Sequence, residues 1–202
     1  MDVTSLYTNI PQEKGITIIC QAYKTFYQNK PSIPSQYLAD MLRIILRKNS
    51  LQFVGKNYLQ VQGTAMGTKM AVAFANIFMS AIQTEIINKS PHKPVVWKRL
   101  IDDIFSLWYV DKEEIYSFIE LANNHHATIK FTAEVSETET AFPDTCIYKG
   151  ERFKKESILH VRTHFKPTET FQYTYFSSCH PPGVKKGFIK DEALRSLRTN
   201  SS

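Results

Sequence analysis

Trp97-Lys98-Arg99-Leu100-Ile101-Asp102-Asp103-Ile104-Phe105-Ser106-Leu107-Trp108-Tyr109 sets two adjacent carboxylates in the middle of an apolar, β-prone run. An ionised carboxylate buried without a partner is prohibitively costly. A sequence that spends Leu, Ile, Phe and Trp on a strand pair and puts Asp-Asp at its centre therefore either turns there or binds cations there. Asp-Asp is also an ordinary hairpin loop, and this stretch alone leaves both readings open. A third carboxylate, in Met1-Asp2-Val3-Thr4-Ser5-Leu6-Tyr7-Thr8-Asn9-Ile10-Pro11, shifts the balance toward a tight hairpin that presents carboxylates to metal.

Upstream of that hairpin, Gln62-Gly63-Thr64-Ala65-Met66-Gly67-Thr68-Lys69 is a glycine-bearing loop. It opens a helix from Met70 to about Asn88 that is apolar on nearly every side and hence buried. Earlier still, Leu51–Val54 and Tyr58–Val61 flank Gly55-Lys56-Asn57, a hairpin signal. Ser35 is placed to cap a helix with Leu38, Met41, Leu42, Ile45 and Leu46 as its buried stripe. Pro11 and Glu13 begin another, carrying Ile16, Ile19, Cys20, Tyr23 and Tyr27 and ending near Asn29-Lys30-Pro31.

Downstream, Asp111-Lys112-Glu113-Glu114 reads as a capping box for a helix with Ile115, Phe118, Ile119 and Ala122 inward. Ile129, Phe131, Ala133 and Val135 alternate as a half-buried strand. Cys146-Ile147-Tyr148 and Ser157 to Phe165 read as further antiparallel strands. Pro181-Pro182-Gly183 ends a segment, and Val184, Phe188, Ala193, Leu194 and Leu197 follow as a basic amphipathic helix. Hairpin-paired strands with helices on one face make an α+β layer.

With 202 residues, 43% of them hydrophobic, the chain can bury a core and fits one domain with an appendage: 1–165, then a basic helical tail over 166–202. The net charge of +6 favours a polyanionic partner and says nothing about fold. Residues 151–202 carry ten Lys or Arg against five Asp or Glu, so most of the surplus lies in the tail. Cys20, Cys146 and Cys179 form no CxxC pair, which argues against a disulfide framework or structural zinc and fits a reducing compartment. No signal peptide is read at Met1, and no apolar run is long enough to span a bilayer. His125, His126, His160, His164 and His180 have no recognised ligand spacing and read as surface or strand residues.

If Asp2 ends a central strand beside the Asp102-Asp103 turn, three carboxylates meet at one sheet end. An oxygen-only set suits Mg²⁺ or Mn²⁺. Two such ions about 3.5–4 Å apart clamp the attacking and leaving oxygens of an in-line phosphoryl transfer, whether nucleotide addition or phosphodiester hydrolysis. Tyr7, five residues after Asp2, is either packing or a ring lying under a nucleotide sugar that excludes a 2′-hydroxyl, which a hydrolase does not need. Gln62 is placed to reach a base or sugar edge, and Gly63 to let the backbone approach substrate.

The ordered set Asp-Val-Thr-Ser-Leu-Tyr-Thr-Asn-Ile-Pro from Asp2, Gln-Gly-Thr-Ala-Met-Gly-Thr-Lys-Met-Ala from Gln62, Arg-Leu-Ile-Asp-Asp-Ile-Phe from Arg99 and Ile-Lys-Phe-Thr-Ala-Glu-Val-Ser from Ile129 resembles the reverse transcriptases of Penelope-like retroelements. So does the tail, with Lys166-Pro167-Thr168 and Ser178-Cys179-His180-Pro181-Pro182-Gly183. The resemblance implies a right-hand polymerase palm over 1–165 and the start of a thumb over 166–202. It implies Asp2 and Asp102 as principal ligands of two Mg²⁺ or Mn²⁺ ions, Asp103 as accessory carboxylate, Tyr7 as sugar-selecting aromatic, and Gln62 and Gly63 as nucleotide contacts. Lys130 falls where such enzymes place a lysine that can protonate pyrophosphate, though the balance favours an ordinary exposed strand lysine. The strands from Phe142 to Phe165 would contain the primer grip.

The implied partners are an RNA template, a DNA primer and dNTP, with no membrane, and the implied location is intracellular, at chromatin in the nucleus. Nothing here resembles the GIY-YIG endonuclease that such elements often carry. Three departures stand out. Leu100 replaces an aromatic, and Pro143 replaces a leucine and would remove a ladder donor. Met1 stands directly before Asp2, which leads to an expectation that the fingers are absent and the ligand frayed. The alternatives are a catalytically inactive nucleic-acid-binding remnant and, third, a metal-dependent nuclease.

Overall fold

The structure, a computed structural model, describes residues 1–28 and 30–201 and is an α+β protein, 44% helix and 17% strand, with antiparallel sheets. The chain divides into two units, Met1–Ala133 and Glu134–Ser202. The first runs β1 (Asp2–Val3), α1 (Leu6–Asn9), α2 (Gln12–Phe26), α3 (Ser35–Arg47), β2 (Ser50–Phe53), β3 (Lys56–Leu59), α4 (Ala71–Lys89), β4 (Val96–Leu100), β5 (Asp103–Leu107), α5 (Lys112–His125) and β6 (Phe131–Thr132). Among the described residues no helix is long and apolar enough to cross a membrane.

A four-stranded antiparallel sheet in the order β4-β5-β1-β6 organises this unit. β1 is two residues long and sits between two neighbours. Asp2 lies opposite Asp103 on one side and Thr132 on the other, and Val3 lies opposite Phe131. Because successive side chains point to opposite faces, one face carries Val3, Ile104 and Phe131, all buried, and the other carries Asp2, Asp103 and Thr132. The apolar face packs into a core with α4 and α5, where Phe74, Phe78, Ile82, Phe118 and Ala122 join the strand residues. Full burial of a Phe or Ile side chain contributes about 1.5–3 kcal/mol. Phe78→Ala at the centre would cost about 3–5 kcal/mol.

The expected fraying of Asp2 does not occur. The Met1 ammonium donates to Ile104 O (2.9 Å), Ile104 N–H to Met1 O (2.8 Å), Val3 N–H to Asp102 O (3.1 Å) and Thr4 N–H to Lys130 O (2.9 Å). Hydrogen bonds on both flanks and a buried Val3 supply the order that length does not.

Other elements shift from expectation. In α3, Ala39, Leu42 and Leu46 are buried while Met41 and Ile45 are exposed, and Ser35 lies inside the helix behind an N-cap at Pro34. α2 stops at Phe26, and Asn29, near the expected end, lies outside the described residues. The first hairpin turns at Val54-Gly55, because Phe53 pairs with Lys56, rather than over Gly55–Asn57. The alternation at Ile129–Val135 yields only a two-residue strand. α5 starts as the capping box predicts, Asp111 N–H donating to Glu114 Oε2 at 3.2 Å.

The second unit runs β7 (Glu139–Phe142), β8 (Thr145–Tyr148), α6 (Glu151–Glu156), β9 (His160–Thr163) and α7 (Pro182–Thr199), with the strands in that order in one antiparallel sheet. Phe142 pairs with Thr145, so Pro143 occupies a two-residue turn where its fixed φ is useful and no ladder donor is lost. At the start of the expected Ser157–Phe165 strand, Ser157 is the left-handed C-cap of α6, and only His160–Thr163 pair as β9. Pro181-Pro182-Gly183 closes the preceding segment as expected and also opens the helix that follows, since proline suits the first helical turn. The end of α7 is tied to β9: Thr163 N–H donates to Asn200 Oδ1 (3.1 Å), and the Thr163 and Thr199 hydroxyls lie 2.6 Å apart.

Candidate active site

Backbone register sets two of the acidic residues opposite each other. Asp103 opens β5 directly across from Asp2, and such opposed pairs hold their Cβ atoms about 4.5–5.5 Å apart on one face. Asp102 occupies the two-residue tip between Leu100 and Asp103, and its carbonyl accepts from Val3 N–H. Asp2 is exposed, and Asp102 and Asp103 are half-buried. The tip is strained, because Ile101 sits at φ +56°, in the left-handed region that costs a β-branched residue about 1–2 kcal/mol.

Among the described residues no group of three or more His, Cys, Asp or Glu side chains is arranged to hold a metal ion. The donor set nonetheless suits a hard divalent cation. Mg²⁺ in phosphoryl-transfer sites is held by one or two carboxylates and completed by substrate phosphates and water, not by an all-protein cage.

Tyr7 follows β1 on α1, half-buried against the core. Its carbonyl accepts Thr64 N–H at 2.8 Å, which brings the Gln62–Thr64 loop onto α1. Gly63 has φ +68°, and a Cβ there would lie 2.4 Å from Tyr7 O and 2.6 Å from Thr8 Cα. The backbone that Gly63 admits is thus that of α1, a reason for glycine that the substrate-approach argument did not supply. Gly63 O accepts from Gln12 Nε2 (3.0 Å), and Gln62 is exposed, its carbonyl accepting from Gln60 Nε2 (2.8 Å). Beside this junction lies an open groove of about 970 Å³, lined by Thr8, Asn49, Gln60, Gln62, Thr64 and Thr68 among others. Neither Tyr7 nor the three aspartates line it.

Lys130 is engaged elsewhere. Its ammonium donates to Asn123 O (2.6 Å) and His126 O (3.1 Å), capping the carbonyl end of α5 as a cation there should. Nearby, His126 is buried, and burial pushes its imidazole below the usual histidine pKa, assisted by the positive charge of Lys14. Its Nδ1 accepts Thr128 N–H at 3.2 Å, which requires that nitrogen to be unprotonated.

One residue at the hairpin escaped sequence reasoning. Arg99 donates from Nη1 to Ile101 O (2.8 Å) and Asn76 Oδ1 (2.7 Å), from Nη2 to Asn76 O (3.1 Å) and from Nε to Gln83 Oε1 (2.9 Å). Gln83 also accepts from Trp97 Nε1 at 3.2 Å. The available signal was Asn76 and Gln83 themselves, amides that interrupt the apolar residues of α4.

In the second unit, cations lie over rings: Arg162 over Tyr148, Lys149 over Phe153, Lys185 over Phe176 and Arg195 over Phe165, at 4.9–5.5 Å. Tyr175 and Phe176 are 83% and 85% exposed. Comparison of the chain with protein-family models finds no match, and a search of curated proteins finds none.

Proposed function

We propose that the chain is a reverse-transcriptase fragment, an RNA-directed DNA polymerase palm over 1–165 followed by the start of a thumb over 166–202, of the Penelope-like kind its motifs resemble. The observation that carries this reading is the register that sets Asp2 across from Asp103 with Asp102 at the adjoining tip. Asp2 and Asp102 would hold two Mg²⁺ or Mn²⁺ ions with Asp103 as the accessory carboxylate. Bound there, the ions supply Lewis-acid stabilisation of the charge that develops as a primer 3′-oxygen displaces pyrophosphate from a dNTP. Tyr7 lies one short turn beyond Asp2 and serves as the sugar-side aromatic, while exposed Gln62 serves as a nucleotide contact. Gly63 supports both by seating its loop on the Tyr7–Thr8 backbone. Lys130, its ammonium bonded to two helix carbonyls, is assigned to helix capping rather than proton donation.

Primer extension on an RNA template with dNTPs and Mg²⁺ tests the reading. Asp102→Asn should abolish incorporation, and incorporation unchanged by it would overturn the assignment. A second reading, nucleic-acid binding without chemistry, is favoured by the ring-and-cation surface of the second unit. It predicts affinity for RNA that falls steeply with salt as phosphate neutralisation releases counterions, with no extension under any condition.

A further inference from the structure

Arg99 stands on β4 opposite Ile104, so its side chain leaves the sheet on the helix-covered face, away from Asp2 and Asp103. Every hydrogen bond it makes is to a neutral oxygen: one backbone carbonyl at the hairpin tip, and Asn76 and Gln83 on α4. Burial of the guanidinium without a carboxylate among those acceptors lowers its pKa from the usual arginine value. Desolvating a cation for the sake of neutral acceptors is an unusual expenditure unless the geometry it enforces has a use. Asn76 and Gln83, seven residues and two helical turns apart, present one polar edge to it on a helix otherwise filled by Phe74, Phe78, Met79 and Ile82.

The tip is where such enforcement is needed. Ile101 holds a left-handed conformation that its side chain disfavours, and strain of this kind persists only where surrounding contacts over-determine it. The carbonyl Arg99 captures belongs to the peptide joining Ile101 to Asp102, while Asp102's own carbonyl is captured by Val3 N–H. Both peptide planes flanking Asp102 are therefore fixed, one from α4 and one from β1.

We propose that Arg99 is a positioning residue for the carboxylates: it locks the Ile101–Asp102 peptide to α4 and so holds Asp102 and Asp103 in the register that faces Asp2. The chemistry it serves rests on the polymerase reading, whereas the locking itself does not. A planar fork reaches four acceptors on three residues at once, which lysine's single ammonium does not reproduce.

The test compares wild type with Arg99→Met, which keeps an apolar stem, and Asn76→Ala, which keeps the arginine and removes a side-chain acceptor. Amide hydrogen exchange of Val3 and Ile104 should accelerate by about tenfold or more in Arg99→Met, an opening change worth 1.4 kcal/mol or above, while the amides of α5 stay unchanged. In primer extension kcat should fall by about 10- to 100-fold, as for other supports of metal ligands, with KM for dNTP held and Mn²⁺ affinity, read by electron paramagnetic resonance, reduced. Asn76→Ala should move each quantity the same way by less, and it decides the matter should Arg99→Met not fold. Exchange at Val3 and Ile104 equal to wild type, or accelerated evenly throughout the unit, would overturn the proposal. Faster exchange at the tip in a protein whose wild type neither binds Mn²⁺ nor extends primers would sink the polymerase reading and leave the locking role standing.

Discussion

The β2–β3 and β4–β5 hairpins each turn through two residues, and each turn opens on a β-branched residue at positive φ, Val54 at +47° and Ile101 at +56°. There the likeness ends. In β2–β3 every strand residue is exposed, Val54 is 82% exposed, and Gly55 takes the second left-handed position, as a type I′ turn requires. In β4–β5 the tip packs Ile101 against the core, holds its carbonyl through Arg99 and spends its second position on Asp102. Both turns hold a β-branched residue in the left-handed region; in β2–β3 the second position is left-handed too and is glycine, whereas Asp102 is not at positive φ. The solvent-facing turn carries its strain beside a glycine, and the β4–β5 tip carries it with hydrogen bonds from Arg99 to Ile101 O and from Val3 N–H to Asp102 O.

Writing Asn-Gly, the preferred type I′ pair, into both turns should break that comparison most sharply. Ile101→Asn with Asp102→Gly removes a carboxylate and should lower single-turnover primer extension by about a thousandfold, the several kcal/mol a bound cation contributes. Val54→Asn completes the same pair in β2–β3 and should leave extension intact.

Next in size is a glycine contrast. Gly63→Ala pushes a Cβ to 2.4 Å from Tyr7 O at φ +68° and should cost about 3 kcal/mol or more in urea unfolding. Gly55→Ala at φ +73° meets nothing within 4 Å and should cost only the left-handed penalty of about 1 kcal/mol.

A smaller separation is expected for the single turn substitutions followed by thermal unfolding. Val54→Asn should stabilise by about 1 kcal/mol, whereas Ile101→Asn should destabilise by about 1–2 kcal/mol, because it removes apolar packing.

The smallest effect concerns pH. His126 has a folded pKa below the unfolded value of about 6.5. The unfolded chain therefore binds more protons between those two values, and stability is lost as pH falls below about 6.5. His126→Gln should flatten the dependence of Tm on pH between 7.5 and 5.5 relative to wild type.

Much of the fold was legible where apolar pattern and turn chemistry agreed. The Trp97–Tyr109 hairpin and the Asp111 start of α5 follow from side-chain periodicity and capping, whereas α4, expected to be buried on nearly every side, leaves Val72, Ser80, Thr84 and Glu85 exposed. The misreadings share a cause, local preference overridden by register or packing. Val54 goes into a left-handed turn against its own preference because pairing of Phe53 with Lys56 demands it. α3 buries Ala39, Leu42 and Leu46 and leaves the equally apolar Met41 and Ile45 outside, a choice fixed by neighbours rather than by period. At the site, the meeting of Asp2 with Asp103 was legible as a hypothesis from residue types. Arg99's bonds and Lys130's capping role were not, since long polar side chains choose partners only once helices and strands are assembled.

The two-residue β1 has a consequence for the order of folding. The β4–β5 hairpin is local and can close within about 1–10 μs. Asp2 joins it only after a segment of about a hundred residues loops back, an entropic cost that must be met before the two flanking strands reward it. Collapsed forms lacking that final insertion would keep α4 and the hairpin yet leave Asp103 without Asp2 opposite it, so the Asp2–Asp103 pairing arrives with the last strand and serves as a sensitive gauge of complete folding.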